Sequence, residues 1–340
     1  MRLGPFDLGA RAGEGASATV WYAVHADAGV PVAVKVLHGR YANDLRLRRA
    51  FDAEIRALAG LEHRAVATIL DFGEVGRDEA VAAGGAVPVG APWFAMERAS
   101  GGTLRVADAD ELRTALAEVL EALAHAHARG VLHRDLKPAN LLVRTAADAR
   151  PGLMVADWGI VHLLDRPPSD GTSSAGTAWF AAPEQVDGQW RAFGPWTDLY
   201  ALGATAWALA TGRPPRAGRL DLSAARFPLD PALVEWIRRL LSPEPADRFM
   251  SAADARAALP GAPPSRVGRW PPVPPLLAAS LPLFPLRRPG LVGRSDARRR
   301  LAGVVRAVAL SRRARVALLV GPPGAGRSAV IDGWLERMDV

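Results

Sequence analysis

The sequence predicts an α+β fold, and three observations carry that prediction. Strand-like segments crowd the first hundred positions, at residues 6–24, 32–37, 61–73 and 93–97. Helical apolar spacing takes over afterwards, at 111–129 and 196–211. Close to the end, an apolar run at 316–320 enters a glycine-rich turn and then a helical segment, the order of a short βα fragment.

The 340 residues suffice for two domains, or for one large bilobal domain with an appendage, and 49% are hydrophobic, so a sizeable core is available. No cysteine is present, which excludes disulfides and thiolate metal sites. No basic-then-apolar amino terminus is seen, which argues against secretion and leads us to expect a cytoplasmic protein. The apolar run at 271–286 is broken throughout by proline and is too short to cross a bilayer, so no membrane span is expected. The formal net charge of +7 is unevenly distributed: residues 1–260 hold 28 Lys+Arg against 31 Asp+Glu, and residues 261–340 hold 14 against 4. No basic face for nucleic acid is implied in the larger part. The basic tail is a solvated surface or a contact for nucleic acid, anionic lipid or an acidic partner. Of the 42 basic residues only Lys35 and Lys137 are lysine. A planar guanidinium substitutes poorly for a compact ammonium against phosphate oxygens, so these two positions mark where to look.

Taken in order, residues 6–24 (FDLGARAGEGASATVWYAV) read as strand, glycine-rich turn and strand. Gly13, Gly15 and Val20 fit a G-x-G-x-x-G-x-V loop, whose glycines let backbone N–H groups approach an anion, although Ala18 stands at the third glycine. In 32–37 (VAVKVL) one charge, Lys35, interrupts an apolar strand and needs a partner. The segment 45–59 has helical spacing at Leu47, Phe51, Ile55 and Leu58 and offers Glu54 as that partner. Such a pair would hold the lysine against nucleotide phosphates. Residues 76–92 read as a Gly/Ala/Val-rich loop. The strand at 93–97 (WFAME) then runs into a Gly101-Gly102 turn.

After the helix at 111–129 come residues 133–143, HRDLKPANLLV, around which the rest is organised. Asp135, with Lys137 two residues on and Asn140 five residues on, is the set needed to orient a hydroxyl, steady a transferring phosphoryl group and hold magnesium. Asp157 ends the apolar stretch 153–157 and is suited to reach the same ion. His125 and His127 lie two apart, so they do not share a helix face and are expected on the surface or in packing. Residues 160–181 are loop-like and carry Thr172, Ser173, Ser174 and Thr177, hydroxyls that would order the loop through an Arg such as Arg134 if phosphorylated. Asp198 is expected to anchor the catalytic loop, and Arg248 to be the buried partner of Glu184.

Together these motifs resemble the eukaryotic-like serine/threonine protein kinases of bacteria over residues 6–259. The resemblance implies a two-lobed fold: a small β-rich lobe (about 1–97), a larger helical lobe (about 98–259), and ATP and Mg²⁺ between them. By that resemblance Asp135 accepts the substrate hydroxyl proton, Lys137 stabilises the phosphoryl group, and Asn140 and Asp157 bind magnesium. Gly13, Gly15, Val20, Ala33, Lys35, Glu54, Met96, Glu97 and Ala99 would line the ATP site, with the Glu97 and Ala99 backbone reading the adenine edge. Thr172, Ser173, Ser174 and Thr177 would lie on the activation loop. Protein substrates with Ser/Thr acceptors follow, including the loop itself, phosphorylated between self-associated copies. Two departures stand out. Ala18 adds a methyl to the phosphate loop, and Trp158 replaces the usual Phe after the metal-binding Asp, where its bulk would bias the loop's switching. An alternative is therefore a catalytically weak, pseudokinase-like nucleotide-binding scaffold that regulates an attached NTPase module.

The remainder reads as a proline-rich linker, 260–290, and a further segment, 291–340. That segment is expected to be helical over 291–310, a strand over 316–320, and a phosphate-binding loop at 321–328 (GPPGAGRS), with Gly321, Gly324, Gly326 and Ser328 but Arg327 where lysine is usual. It resembles the start of the ATPase modules of the AAA and signal-transduction NTPase type. A truncated piece of a larger regulator is expected, a degenerate remnant being the alternative.

Overall fold

The computed structural model describes residues 1–15, 18–39, 48, 51, 55, 57–158, 179–215, 225–264, 295–320 and 330–331. The chain divides into two compact units, Met1–Arg287 and Arg288–Val340.

In the first unit six strands form one antiparallel sheet: β1 (Arg2–Leu3), β2 (Phe6–Glu14), β3 (Ala18–His25), β4 (Pro31–Leu37), β5 (Ile69–Glu74) and β6 (Pro92–Glu97), in the order β1-β2-β3-β4-β6-β5. In β3 the buried Ala18, Trp21 and Ala23 are interrupted by the exposed Tyr22 and Val24, as one-sided burial demands. β4 is buried from Val32 to Leu37 because both of its faces are covered. Helical positions Phe51, Ile55 and Leu58 are all buried and pack on the β4–β6 face, with the Phe51 and Phe94 rings 6.0 Å apart.

Residues 76–92, expected as a loop, contain a helix, α1 (Arg77–Ala82). Its start is held by Glu79, whose carboxylate accepts from Gly76 N at 2.6 Å and, across the sheet edge, from Gly4 N at 2.8 Å. That second, distant contact has no local sequence signal.

Helices dominate from residue 109 on. In α2 (Ala109–His127), Asp108 caps the N-terminus, accepting from Asp110 N (2.9 Å) and Glu111 N (2.8 Å), while Leu112, Leu116, Val119, Leu120 and Leu123 are buried. A two-stranded ladder of β7 (Leu141–Arg144) and β8 (Gly152–Val155) follows, then the short α3 (Pro183–Val186). α4 (Pro195–Thr211) is buried nearly all round and stops at Gly212, whose left-handed φ of 75° suits glycine. α5 (Pro231–Leu240) crosses it at Gly203, and α6 (Ala252–Ala257) packs on α2. As expected, Arg248 meets Glu184 through Nη1 (2.9 Å) and Nη2 (3.1 Å), with Thr197 Oγ1 donating to the same carboxylate at 2.9 Å.

In the second unit α7 (Ser295–Ser311) matches the expected helix. The expected strand at 316–320 is not formed: residues 312–320 have no strand partner among the described residues, and Val316, Leu318 and Val320 are 97%, 85% and 84% exposed. A lone strand leaves its backbone groups to water and has nothing to pair with. The phosphate-loop residues Gly321, Gly324, Gly326, Arg327 and Ser328 lie outside the described residues. No described helix is long and apolar enough to cross a membrane.

Candidate functional site

Lys35 sits in the middle of β4, opposite Val20 on β3 and Phe94 on β6, and is only 7% exposed. A buried ammonium requires an anion, and its Nζ donates to Asp157 Oδ1 at 2.8 Å, across 122 residues of chain. Glu54, the partner expected from sequence, lies outside the described residues. Asp157 follows β8 in a left-handed conformation, φ 56°, and Arg134 adopts φ 63°. Such backbone needs surroundings that hold it, and both residues belong to the candidate site.

For Arg134 the holding group is Asp198. Its fully buried carboxylate accepts from His133 N and Arg134 N, each at 2.7 Å, and from His127 Nε2 at 2.8 Å. Burial acts to raise the Asp198 pKa, but these donors outweigh it and hold the carboxyl below the usual carboxylate range. The anchoring role expected for Asp198 is thereby met, and His127 is packed against it. His133 is fully buried, and burial keeps its pKa low despite the charges of Asp198 and Asp135. The neutral ring fits its contacts: Nε2–H donates to Ala156 O at 3.1 Å, and Nδ1 accepts from Asp135 N at 3.3 Å. The indole of Trp158 packs against it at a 39° tilt, ring centroids 4.8 Å apart, and donates from Nε1 to Val155 O at 3.0 Å.

The loop so fixed presents Asp135, Lys137 and Asn140 together. Lys137 Nζ reaches both Asp135 carboxylate oxygens, at 3.1 and 2.8 Å. Asn140 Nδ2 donates to Asp135 O at 2.7 Å, a contact that only the amide nitrogen can make, so the amide oxygen is the end left to bind an ion. The Asn140 backbone O accepts from Ala156 N at 2.9 Å, which ties residue 140 to the residue that precedes Asp157. One carboxylate and one amide oxygen are hard donors of the kind Mg²⁺ takes alongside phosphate oxygens, so the residues fit that ion.

On the β side, Gly13 pairs with Val20, and Gly15 N closes the hairpin on Ala18 O at 2.9 Å. A methyl at Gly13 would meet nothing within 4 Å. Ala18 is 3% exposed and belongs to the main apolar cluster, so its methyl packs into the core. Ala33, paired with Met96 across β4 and β6, lies in the same cluster, with Val20 packed against it.

The Glu97 side chain points into a buried pair of arginines, Arg144 and Arg150, which leaves only its backbone for a ligand. Neither arginine was singled out from sequence, because the contacts span 47 and 53 residues. Ala99 packs in a small cluster with Met154 and Ala156. The activation-loop candidates Thr172, Ser173, Ser174 and Thr177 lie outside the described residues.

The protein kinase domain profile matches residues 6–249. A probable serine/threonine-protein kinase of Corynebacterium efficiens is 31% identical over 284 residues, covering 75% of this chain and 40% of the relative. Serine/threonine-protein kinase Pkn1 of Myxococcus xanthus is 36% identical over 286 residues, covering 76% and 38%. Serine/threonine-protein kinase PknL of Mycobacterium tuberculosis is 32% identical over 266 residues, covering 72% and 62%. The chain thus spans between 38% and 62% of the length of these relatives. Among solved structures, the PknI kinase domain of Mycobacterium tuberculosis superposes with a TM-score of 0.58 at 27% identity, covering 76% of this chain and 96% of that one.

Proposed function

The chain belongs to the protein kinase family, and from that premise we propose that it transfers the γ-phosphoryl group of ATP to Ser and Thr hydroxyls of proteins. The observation that supports this most directly is the meeting of Lys35 and Asp157 at 2.8 Å beside a loop on which Asp198 fixes Asp135, Lys137 and Asn140. In this reading Asp135 Oδ accepts the hydroxyl proton as the oxygen attacks. Lys137, released from Asp135, follows the charge that develops on the transferred group. Lys35 orients the α- and β-phosphates, and Asp157 and the Asn140 amide oxygen hold magnesium. The ion, when bound, neutralises phosphate charge. Gly13, Gly15 and Val20 cover the phosphates, while Ala33, Met96 and the Glu97 and Ala99 backbone enclose the adenine.

The reading extends to a kinase domain over 1–259, a linker over 260–290 and the start of a phosphate-loop module over 291–340, within a cytoplasmic bacterial signalling regulator. Substrates would include the chain's own loop at Thr172, Ser173, Ser174 and Thr177, phosphorylated between transiently associated copies.

Incubation of the full chain with γ-labelled ATP, Mg²⁺ and a generic basic protein tests the reading. We expect label on both proteins and a loss of at least ~10³-fold in Asp135→Asn, an effect in line with removing a unit of the reacting machinery. Equal labelling by Asp135→Asn overturns it. ATP-dependent thermal stabilisation without any phosphotransfer selects the scaffold alternative instead.

A further inference from the structure

The connector from β6 to the helical region is stitched, residue by residue, to the β7–β8 hairpin. Glu97, whose side chain has no exposed surface, accepts from Arg150 Nε on Oε1 and Nη2 on Oε2, both at 2.8 Å, the two-pronged geometry of a guanidinium on a carboxylate. Arg144 Nη1 adds a contact at 3.2 Å and Thr68 N another at 3.1 Å, both on Oε2. The arginines do not end there. Arg150 Nη2 also donates to Val66 O (3.2 Å) and Thr68 Oγ1 (3.0 Å), and Arg144 Nη2 to Leu153 O (2.9 Å) and Arg64 O.

One residue further on, Arg98 Nε donates to Asp148 Oδ1 at 2.9 Å, and Ser100 gives both N (2.9 Å) and Oγ (2.8 Å) to Asp148 Oδ2. Thr145 N, in the same hairpin turn, donates to that oxygen at 2.8 Å. These donors bring Asp148 below the usual carboxylate range against a burial effect that would raise it. Backbone bonds between Gly101 N and Val143 O (2.8 Å) and between Val143 N and Gly102 O (2.9 Å) complete the seam. A methyl at Gly101 would stand 2.7 Å from Val143 O, so the two backbones can lie this close only because residue 101 is glycine.

None of these side chains belongs to the phosphoryl-transfer set, and a buried acid shared by two arginines is costly to assemble unless its geometry is satisfied on every side. We propose that Arg144, Arg150 and Asp148 are positioning residues for the nucleotide. By fixing Glu97, Arg98 and Ser100 they preset the Glu97 and Ala99 backbone that reads the adenine edge, and so set nucleotide affinity without touching nucleotide or reacting atoms. The inference rests on the kinase reading of that backbone. Its energetic logic is preorganisation: a connector already in its binding geometry loses less freedom when the base docks.

The test uses the full chain carrying Asp135→Asn, so that binding is measured without turnover, and titrates it with ATP and with adenosine by calorimetry. Arg150→Met removes the two-pronged contact. Arg98→Met removes an arm on a side chain that is 23% exposed, and is the variant that keeps the test open if the buried change prevents folding. We expect Arg150→Met to weaken ATP and adenosine by the same factor of ~10, and Arg98→Met by a factor of ~3, because the disturbance lies at the base and not at the phosphates. In the active chain the KM for ATP should rise in step while kcat and the KM for the protein substrate stay within about twofold, a split that a general loss of stability would not give. Arg150→Lys, a point charge without the planar fork, should not restore affinity. Unchanged affinities in folded variants, or a fall in kcat at constant nucleotide affinity, overturn the proposal alone. A parent chain that binds neither ATP nor adenosine overturns the kinase reading and this proposal with it.

Discussion

Asp198→Asn is the substitution whose consequence can be worked most fully from the geometry. The carboxylate serves three donors from full burial: Arg134 N on Oδ1, and His133 N and His127 Nε2 on Oδ2. Asparagine keeps one oxygen. If that oxygen stays on Arg134 N, the new NH₂ faces His133 N–H and the His127 ring. His127 can adapt by moving its proton to Nδ1, which has no partner among the described residues, so that Nε2 becomes an acceptor. The His133 backbone N–H has no such recourse and is left without an acceptor. An unsatisfied buried N–H costs about 1–3 kcal/mol, and two charge-assisted bonds reduced to neutral ones add about 1 kcal/mol each, giving roughly 3–5 kcal/mol. For a unit of this size that corresponds to about 10 °C in Tm. The orphaned N–H belongs to His133, directly before Arg134 with its φ of 63°, so the Asp135 loop should drift and kcat fall by about 100-fold. Urea unfolding followed by tryptophan fluorescence reads the first effect and phosphotransfer the second. A stability loss under about 1 kcal/mol with unchanged kcat would refute the reasoning.

Two further outcomes are expected. His63 and His125 lie with ring centroids 5.3 Å apart; burial, ahead of repulsion from His125 and nearby arginines, lowers the His63 pKa to about 3, and burial, ahead of repulsion from Arg129, lowers that of His125 to about 4. Below pH 6.5 the unfolded chain takes up protons that these rings refuse, so their contribution is intact above that pH and is lost as pH falls toward 4. The slope approaches about 1.4 kcal/mol per pH unit for each ring, or about 2 kcal/mol each between pH 7 and 5. Urea midpoints across that range should fall accordingly and less steeply in His125→Gln, which removes one of the rings; a flat profile in the parent chain contradicts the assignment. At the α4–α5 crossing, a Cβ on Gly203 would stand 2.8 Å from Leu240 Cβ and 3.1 Å from Leu241 Cγ. Overpacking of about 1–3 kcal/mol exceeds the gain of about 1 kcal/mol in helix propensity, so Gly203→Ala should lower thermal stability, whereas a stabilised variant would mean that the helices part freely.

What the sequence made legible is whatever a local pattern encodes. The 3.6-residue apolar spacing of α2, the single charge within β4 and the fixed offsets between Asp135, Lys137 and Asn140 each lie within one short window. Asp198 and the Glu184–Arg248 pair were also legible, since an acid in an otherwise apolar helix, or an arginine in a buried turn, demands a counterpart. The rest depends on contacts that no window contains. α1 owes its start to Glu79 reaching Gly4, 75 residues away, and the Glu97–Arg144–Arg150 cluster joins three segments whose arginines look like any others in so arginine-rich a chain. Ala18 shows the converse error. Counted along the glycine motif its methyl belongs to the phosphate loop, but the pleat turns residue 18 into the core.

The arginine bias makes one contrast sharper in three dimensions than in one. Guanidinium groups do the buried structural pairing here: Arg248 on Glu184, and Arg144 and Arg150 on Glu97, each spreading its donors over several fixed acceptors. The two ammonium groups are used otherwise. Among the described residues Lys35 makes one short contact, to Asp157, and Lys137 contacts the Asp135 carboxylate alone, so each can exchange that carboxylate for a phosphate oxygen without dismantling a described network. A planar fork committed to three or four acceptors cannot be moved during a reaction cycle, whereas a rotatable point charge held by one carboxylate can. In the proposed reaction the lysines would stand where charge must be handed from protein to substrate, while arginine serves where it must stay in place.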